Sequence, residues 1–447
     1  MVRIERAILL TGPYREYACL IEWLSFYYFI FDKGGLKMEK DVVIIGGGLI
    51  GSAIARELSR YQLDIVLIEK EADVACGTSK ANSGIIHAGY NAPVDSLKGE
   101  MNVRANPLYD EISENLNVPF DRIGSLVVGF DDNDLKKLKK KMERGKKQGV
   151  EGLRIMGREE ILKKEPKINK DVKYALYAPT AGIISPYELT IGYADNAAIN
   201  GVRVLLDTEV KELLTKNDQT YGVRTDRGEI RSKVVINAAG VFADKIARMG
   251  GDQINITARK GEYHLFDNKC GDYAQHVLFP MPSEDSKGIL VTPTVHGNLL
   301  IGPNSYYIDD KDDVSTTKSG LQEVINGARN LLPDLPGNDI ITSFSGLRAA
   351  EESEDFIIGF SKTSGLINAA GIQSPGLSSA PAIADKVVEM VKEIDSKEEI
   401  ELNLNYDEDF KPSLPEYPQY HNYKDNPEEW QKFIDQNEDY GKIICRC

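Results

Sequence analysis

An α/β protein is predicted, in which a discontinuous domain of parallel strands and helices carries an inserted α+β domain built on a mixed antiparallel sheet. Three features support this. The run Asp41-Val-Val-Ile-Ile-Gly-Gly-Gly-Leu-Ile-Gly51 is an apolar strand that ends in glycines and opens a helix. The same strand-to-glycine design returns in Lys233-Val-Val-Ile-Asn-Ala-Ala-Gly240 and again in Leu366-Ile-Asn-Ala-Ala-Gly371. Between these pieces lie alternating segments such as Gly288-Ile-Leu-Val-Thr and Gly297-Asn-Leu-Leu-Ile-Gly302, whose period is that of half-buried antiparallel strands.

Residues 1–37 do not join this pattern. Leu20 to Phe31 is apolar, but too short to span a bilayer and not followed by a small-residue cleavage site. An extension outside the fold is expected, with an interfacial membrane anchor as the rival reading. From Asp41 onward, Gly46, Gly48 and Gly51 fill the places of G-x-G-x-x-G: a tight turn, close approach of backbone to pyrophosphate, and close packing of helix on strand. The helix that follows carries Ile50, Ile54 and Leu58 as an apolar stripe and points its free N–H groups at the phosphates. A second strand, Asp64-Ile-Val-Leu-Ile68, ends in Glu69, 18 residues past Gly51, where a carboxylate can accept both ribose hydroxyls and repel a 2′-phosphate. Together these make a Rossmann-like dinucleotide site.

Further along, Leu135, Leu138 and Met142 recur at helical spacing among lysines, so this stretch reads as the solvated face of an amphipathic helix. Gly201-Val-Arg-Val-Leu-Leu-Asp207 and the turn Asp226-Arg-Gly228 mark two more strand regions of the dinucleotide domain. After the third glycine run, Ala384, Val387, Val388 and Val391 give another glycine loop leading into a helix.

At 447 residues the chain has room for two or three domains, and a net charge of −15 argues against a nucleic-acid partner. Cys19, Cys76, Cys270, Cys445 and Cys447 are odd in number and scattered, which fits a reducing cytoplasm better than a disulfide framework. No metal site is expected.

Cys76-Gly-Thr-Ser-Lys-Ala-Asn-Ser-Gly-Ile-Ile-His87 follows the acid-ending strand and offers small hydroxyl and amide groups to a bound cofactor. With this segment the sequence resembles the FAD-dependent oxidoreductases of the D-amino-acid oxidase (DAO) superfamily, in particular the glycerol-3-phosphate dehydrogenase and oxidase group and the L-2-hydroxyglutarate oxidases. The resemblance covers about residues 38–400. It rests on Gly46 to Gly51, Asn82-Ser-Gly-Ile-Ile-His87, Lys260-Gly-Glu-Tyr263, Gly346-Leu-Arg348, Asp355-Phe-Ile-Ile-Gly359 and Gly371-Ile-Gln-Ser-Pro-Gly376, in that order.

The resemblance implies an FAD-binding domain over 38–99, 184–256 and 346–401, and a substrate domain over 100–183 and 257–345. The tail, 402–447, leads into a truncated [2Fe–2S]-type domain. Its Cys445-Arg-Cys447 supplies two of the four thiolates a cluster needs. FAD is then held by Gly46, Gly48, Gly51, Glu69, Thr78, Ser79, Asn82, Ser83, Gly84, Val210, Ala239, Gly240, Gly371, Gln373 and Gly376.

His87 becomes the base that takes a hydroxyl proton while hydride passes to flavin N5, a role suited to a group titrating near neutral pH. Arg348 offers a bidentate fork to a phosphate or carboxylate. Its bland alternative is an ion pair with Glu351 or Glu352. Lys260 is expected to add a second positive charge over the same anion, with Tyr263 and Ser374 as weaker lining residues.

The expected reaction is oxidation of a secondary alcohol beside an anionic group, foremost sn-glycerol 3-phosphate to dihydroxyacetone phosphate. L-2-hydroxyglutarate or another 2-hydroxy acid is the alternative substrate. A non-catalytic flavin electron-relay subunit is the alternative of another class, disfavoured because a relay needs neither His87 nor Arg348. The expected partners are a small anionic substrate and an electron acceptor, such as a redox subunit. No transmembrane segment is expected, and the location is cytoplasmic or membrane-peripheral.

Overall fold

The computed structural model describes residues 36–281, 288–394 and 400–408. Residues 1–35, Cys445 and Cys447 therefore lie outside the described residues.

Among the described residues the strands form an eight-stranded, a nine-stranded and a three-stranded sheet. The centre of the first is parallel: the strand Leu36–Ile45 lies between Ile65–Ile68 and Gly228–Asn237, with Arg203–Leu205 and Leu366–Ala370 outside them. Val42 to Ile45 and Ile65 to Ile68 are nearly inaccessible because both faces of this sheet are covered. One face carries the helices Leu49–Leu58, Pro186–Ile199 and Gly376–Ile394 in one apolar core; Val43, Ile45, Val66 and Val235 point into a core on the other. The described part of the tail lies along the first helix, where Asn403 N–H donates to the Arg60 carbonyl (2.8 Å) and the Arg60 guanidinium stacks on Tyr406.

The nine-stranded sheet is mixed and mostly antiparallel. Its long axis is the strand Ile256–Phe266, which pairs with Ile340–Glu351 from Ile256 opposite Glu351 to Phe266 opposite Ile340. The helices Asp132–Lys147 and Lys318–Leu331 also belong to this half, and the lysine-rich one buries Leu138 while most of its lysines face solvent.

Three expected boundaries move. The first strand begins at Leu36, whose N–H donates to the Arg227 carbonyl (2.8 Å) and which pairs with Gly228, so the outlying extension cannot reach residue 37. The limit of 99 between the domains is too early: Met101, Ala105, Tyr109 and Ile112 pack in the same core as Ile44, Ile54 and Ile383. The apolar spacing of the helices Leu97–Ala105 and Tyr109–Asn115 shows that one face is buried, but not against which sheet. The limit at 346 falls inside the strand Ile340–Glu351, so residues 346–351, Arg348 among them, belong to the antiparallel sheet.

Candidate active site

The glycine runs converge at the carboxyl ends of neighbouring parallel strands, where ligands of open α/β sheets bind. The two Ile-Asn-Ala-Ala-Gly segments lie side by side, Asn237 opposite Asn368, joined by an amide hydrogen bond of 2.9 Å between these buried side chains. Ala238 N–H donates to the Ile45 carbonyl (2.9 Å), which ties the first glycine turn to the second. Gly46 holds a φ of +107°, and a Cβ there would meet the Ala238 carbonyl oxygen at 2.5 Å. A Cβ on Gly51 would fall 1.9 Å from the Gly46 oxygen, so helix and strand can pack this closely only with glycine.

The cradle suits an adenine dinucleotide. At the first helix N-terminus Leu49 N–H donates to Ser79 Oγ (2.8 Å), which puts a small hydroxyl beside the expected pyrophosphate position. Glu69 is buried; its carboxylate accepts from Gly47 N–H (2.7 Å) and Glu71 N–H (2.9 Å), and burial raises its pKa. Val210 opens a strand close by, as Thr208 N–H donates to the Glu69 carbonyl (2.9 Å). Gly240 and Gly371 both have positive φ, and beside Gly371 the buried Gln373 leaves its Oε1 without a hydrogen-bond partner. An orphaned acceptor at a glycine loop is what an approaching N–H donor would satisfy.

Residues 78–84 are shaped by their own contacts. The Thr78 hydroxyl donates to the Leu347 carbonyl (2.5 Å), Asn82 Nδ2 donates to the Ser79 carbonyl (2.9 Å), and Asn82 Oδ1 accepts from Gly84 N–H (2.9 Å). Thr78 and Asn82 therefore fix the loop, while Ser83 is half-buried. This loop is pressed onto the antiparallel sheet, since a Cβ on Gly346 would sit 1.9 Å from the Ala81 oxygen. By parity Arg348 shares with Gly346 the sheet face that meets this loop.

His87 is held by its backbone from two directions. Its N–H donates to Ser378 Oγ (2.7 Å), and its carbonyl accepts from Asn102 Nδ2 (2.8 Å) and Asn106 Nδ2 (3.0 Å). Its imidazole stacks on Phe279 at 5.7 Å between centroids. Ser378, Asn102 and Asn106 are positioning residues that sequence reasoning missed, because the segments they come from meet His87 only in the folded chain.

Strand parity sorts the candidate anion-site residues. Arg259 stands opposite Arg348 and Gly261 opposite Gly346, so these four share one sheet face, with Tyr263 two residues further along. Tyr263 is buried and stacks on Phe344 at 4.9 Å. Arg348 lies across Gly261, where a Cβ would be 3.0 Å from its Nη2, and donates to the carbonyls of Arg259 (3.2 Å), Lys260 (3.3 Å) and Asn304 (3.0 Å). Among the described residues it forms no ion pair with Glu351 or Glu352, and Nη1 has no hydrogen-bond partner there. Partial burial lowers its pKa from the ordinary guanidinium value.

Lys260 has the opposite parity. Its Nζ bonds Asp313 (2.9 Å) and Ser315 Oγ (3.3 Å) on the face where Glu262 and His264 meet the segment leading into Lys318–Leu331 and that helix itself. The expected placement of Lys260 over the same anion as Arg348 is thus overturned. Strand residues an odd number apart cannot both face the ligand, so the pairing of Lys260 with Tyr263, three residues on, was already in conflict with a period of two. Lys260→Met should leave the substrate KM near the parental value and lower the melting temperature. A KM rise like that of an Arg348 variant would return Lys260 to the anion site. Ser374 is exposed at the loop before Gly376.

A family model described as "FAD dependent oxidoreductase" (DAO) matches residues 41–390. The chain is 45% identical over 409 residues to a glycerol 3-phosphate dehydrogenase of Caloramator mitchellensis, covering 91% of this chain and 83% of the relative. It is 32% identical to a glycerol 3-phosphate oxidase of Mycoplasma genitalium over 82% of this chain and 98% of the relative. Among solved structures, dithionite-reduced L-α-glycerophosphate oxidase from Mycoplasma pneumoniae with FAD bound superposes with a TM-score of 0.78 at 29% identity, covering 84% of this chain and all of that one.

Proposed function

The chain belongs to the FAD-dependent oxidoreductases of the DAO family, and from that premise we propose that it oxidises the secondary alcohol of sn-glycerol 3-phosphate to the ketone of dihydroxyacetone phosphate. The observation that carries the substrate is Arg348. It is a partly buried guanidinium on the cofactor-side face, fixed by three carbonyls, with Nη1 left to grip an anion. The 45% identity to a glycerol 3-phosphate dehydrogenase supports the choice of phosphate.

Bound FAD supplies a two-electron acceptor for the hydride leaving the carbinol carbon. This chain's own residues do the rest. Arg348 orients the substrate through its phosphate, and His87, its backbone clamped by Asn102, Asn106 and Ser378, takes the hydroxyl proton. Tyr263 and Phe344 wall the sheet side.

The test is anaerobic bleaching of the flavin in the purified FAD-loaded protein by glycerol 3-phosphate, L-2-hydroxyglutarate, L-lactate and sarcosine in parallel. Rapid bleaching by glycerol 3-phosphate is expected. Bleaching by L-2-hydroxyglutarate and not by glycerol 3-phosphate would overturn the substrate. Readmitting oxygen or an artificial dye then identifies the class of electron acceptor. The flavin should also be released on acid precipitation, because the cradle of glycine turns and Glu69 holds it by hydrogen bonds. Colour that stays with the precipitate would mean a covalent link.

A further inference from the structure

We propose that Arg259 is a second cation of the substrate-anion site, standing beside Arg348, and that the pair selects a phosphate monoester over a carboxylate. The inference rests on the reading above that Arg348 grips the substrate anion. Arg259 is opposite Arg348 in the antiparallel ladder and so projects from the same face of the sheet. It is buried, only 7% exposed, yet its Nε has no hydrogen-bond partner. A guanidinium is rarely desolvated and left partly unsatisfied unless something else completes it.

What faces it is a single acidic side chain. Glu354, half-exposed and at φ +58°, has Oε1 3.6 Å from Arg259 Nη1 and Oε2 3.9 Å from the buried Lys98 Nζ, and accepts from Gln373 Nε2 at 3.2 Å. Two cations, Arg259 and Lys98, thus share one carboxylate next to the glutamine of the third glycine loop, with Arg348 beside Arg259 on the same sheet face. Two adjacent like charges on one sheet face repel, and they are tolerated where an anion binds between them. A phosphate monoester carries about −1.5 to −2 on one group at neutral pH, whereas a carboxylate carries one charge per group. Paired forks therefore favour the phosphate.

The experiment uses the FAD-loaded protein and three variants, Arg259→Gln, Arg259→Lys and Glu354→Gln. Anaerobic stopped-flow reduction separates the apparent Kd for glycerol 3-phosphate from the limiting rate. Arg259→Gln should raise that Kd by about 10-fold or more, the worth of one hydrogen bond to a charged group, with the limiting rate far less affected. Arg259→Lys should recover part of the affinity, and Glu354→Gln should not weaken binding. Parental affinity in Arg259→Gln would overturn the proposal. So would an equal loss in Glu354→Gln, which would reduce Arg259 to a structural ion pair. Inorganic phosphate, followed by its perturbation of the flavin spectrum, keeps this apart from the reading of the substrate. Phosphate bound by the parent and released by Arg259→Gln upholds the second cation even if glycerol 3-phosphate fails to bleach the flavin. Phosphate bound equally by both, or by neither, overturns it.

Discussion

His87→Ala should retain its FAD but be reduced by glycerol 3-phosphate about 10²- to 10⁴-fold more slowly, the range expected for removal of a positioned general base. The proposed dinucleotide cradle is Gly46, Gly51, Glu69 and the two Ala-Ala-Gly turns, whose cited backbone contacts do not run through residue 87. The backbone clamp on residue 87 also survives, because Ser378, Asn102 and Asn106 bond its N–H and carbonyl, not its ring. The loss should therefore fall on the limiting rate of flavin reduction, with substrate Kd little changed. Stopped-flow reduction under anaerobic conditions measures both. Near-parental reduction would leave His87 with a packing role against Phe279 and no part in proton transfer.

Arg348→Met is expected to weaken glycerol 3-phosphate binding by roughly 1.5 to 3 kcal/mol, or about 10- to 150-fold, as a charged hydrogen-bonding group is withdrawn from the anion. It should also lower the melting temperature, because the carbonyls of Arg259, Lys260 and Asn304 each lose a donor. Arg348→Lys keeps the charge without the fork, so it should recover only part of the affinity. Glycerol, lacking the anion, should be a poor substrate for the parent and be affected little by either change. Calorimetric titration and flavin reduction give the two quantities separately. Parental affinity in Arg348→Met would place the anion elsewhere.

Legibility in the sequence followed the range of the forces involved. The glycine turn from Gly46 to Gly51, the acid at Glu69 and the paired Asn-Ala-Ala-Gly runs announce themselves because each obeys a local rule. A strand must be apolar, a tight turn needs glycine, and a ribose needs an acceptor at a strand end. Lys260 was misplaced because charge was weighed before parity. Arg259 was overlooked although it has the same parity as Tyr263, and a period-two reading of residues 256–266 would have found it.

The sequence by itself determined the α/β class and the glycine-and-acid pattern of a dinucleotide site, which rest on residues close together in the chain, while the candidate base and fork came from the resemblance of whole motifs to the family. Only the tertiary structure decided which sheet the helices of residues 97–115 cover, that Gly346 is a glycine because Ala81 presses on it, and that Arg348 faces Arg259 and not Lys260. These depend on register between segments far apart in the chain. Register is set by packing and ladder hydrogen bonds across the fold, to which neither partner's local sequence holds the key.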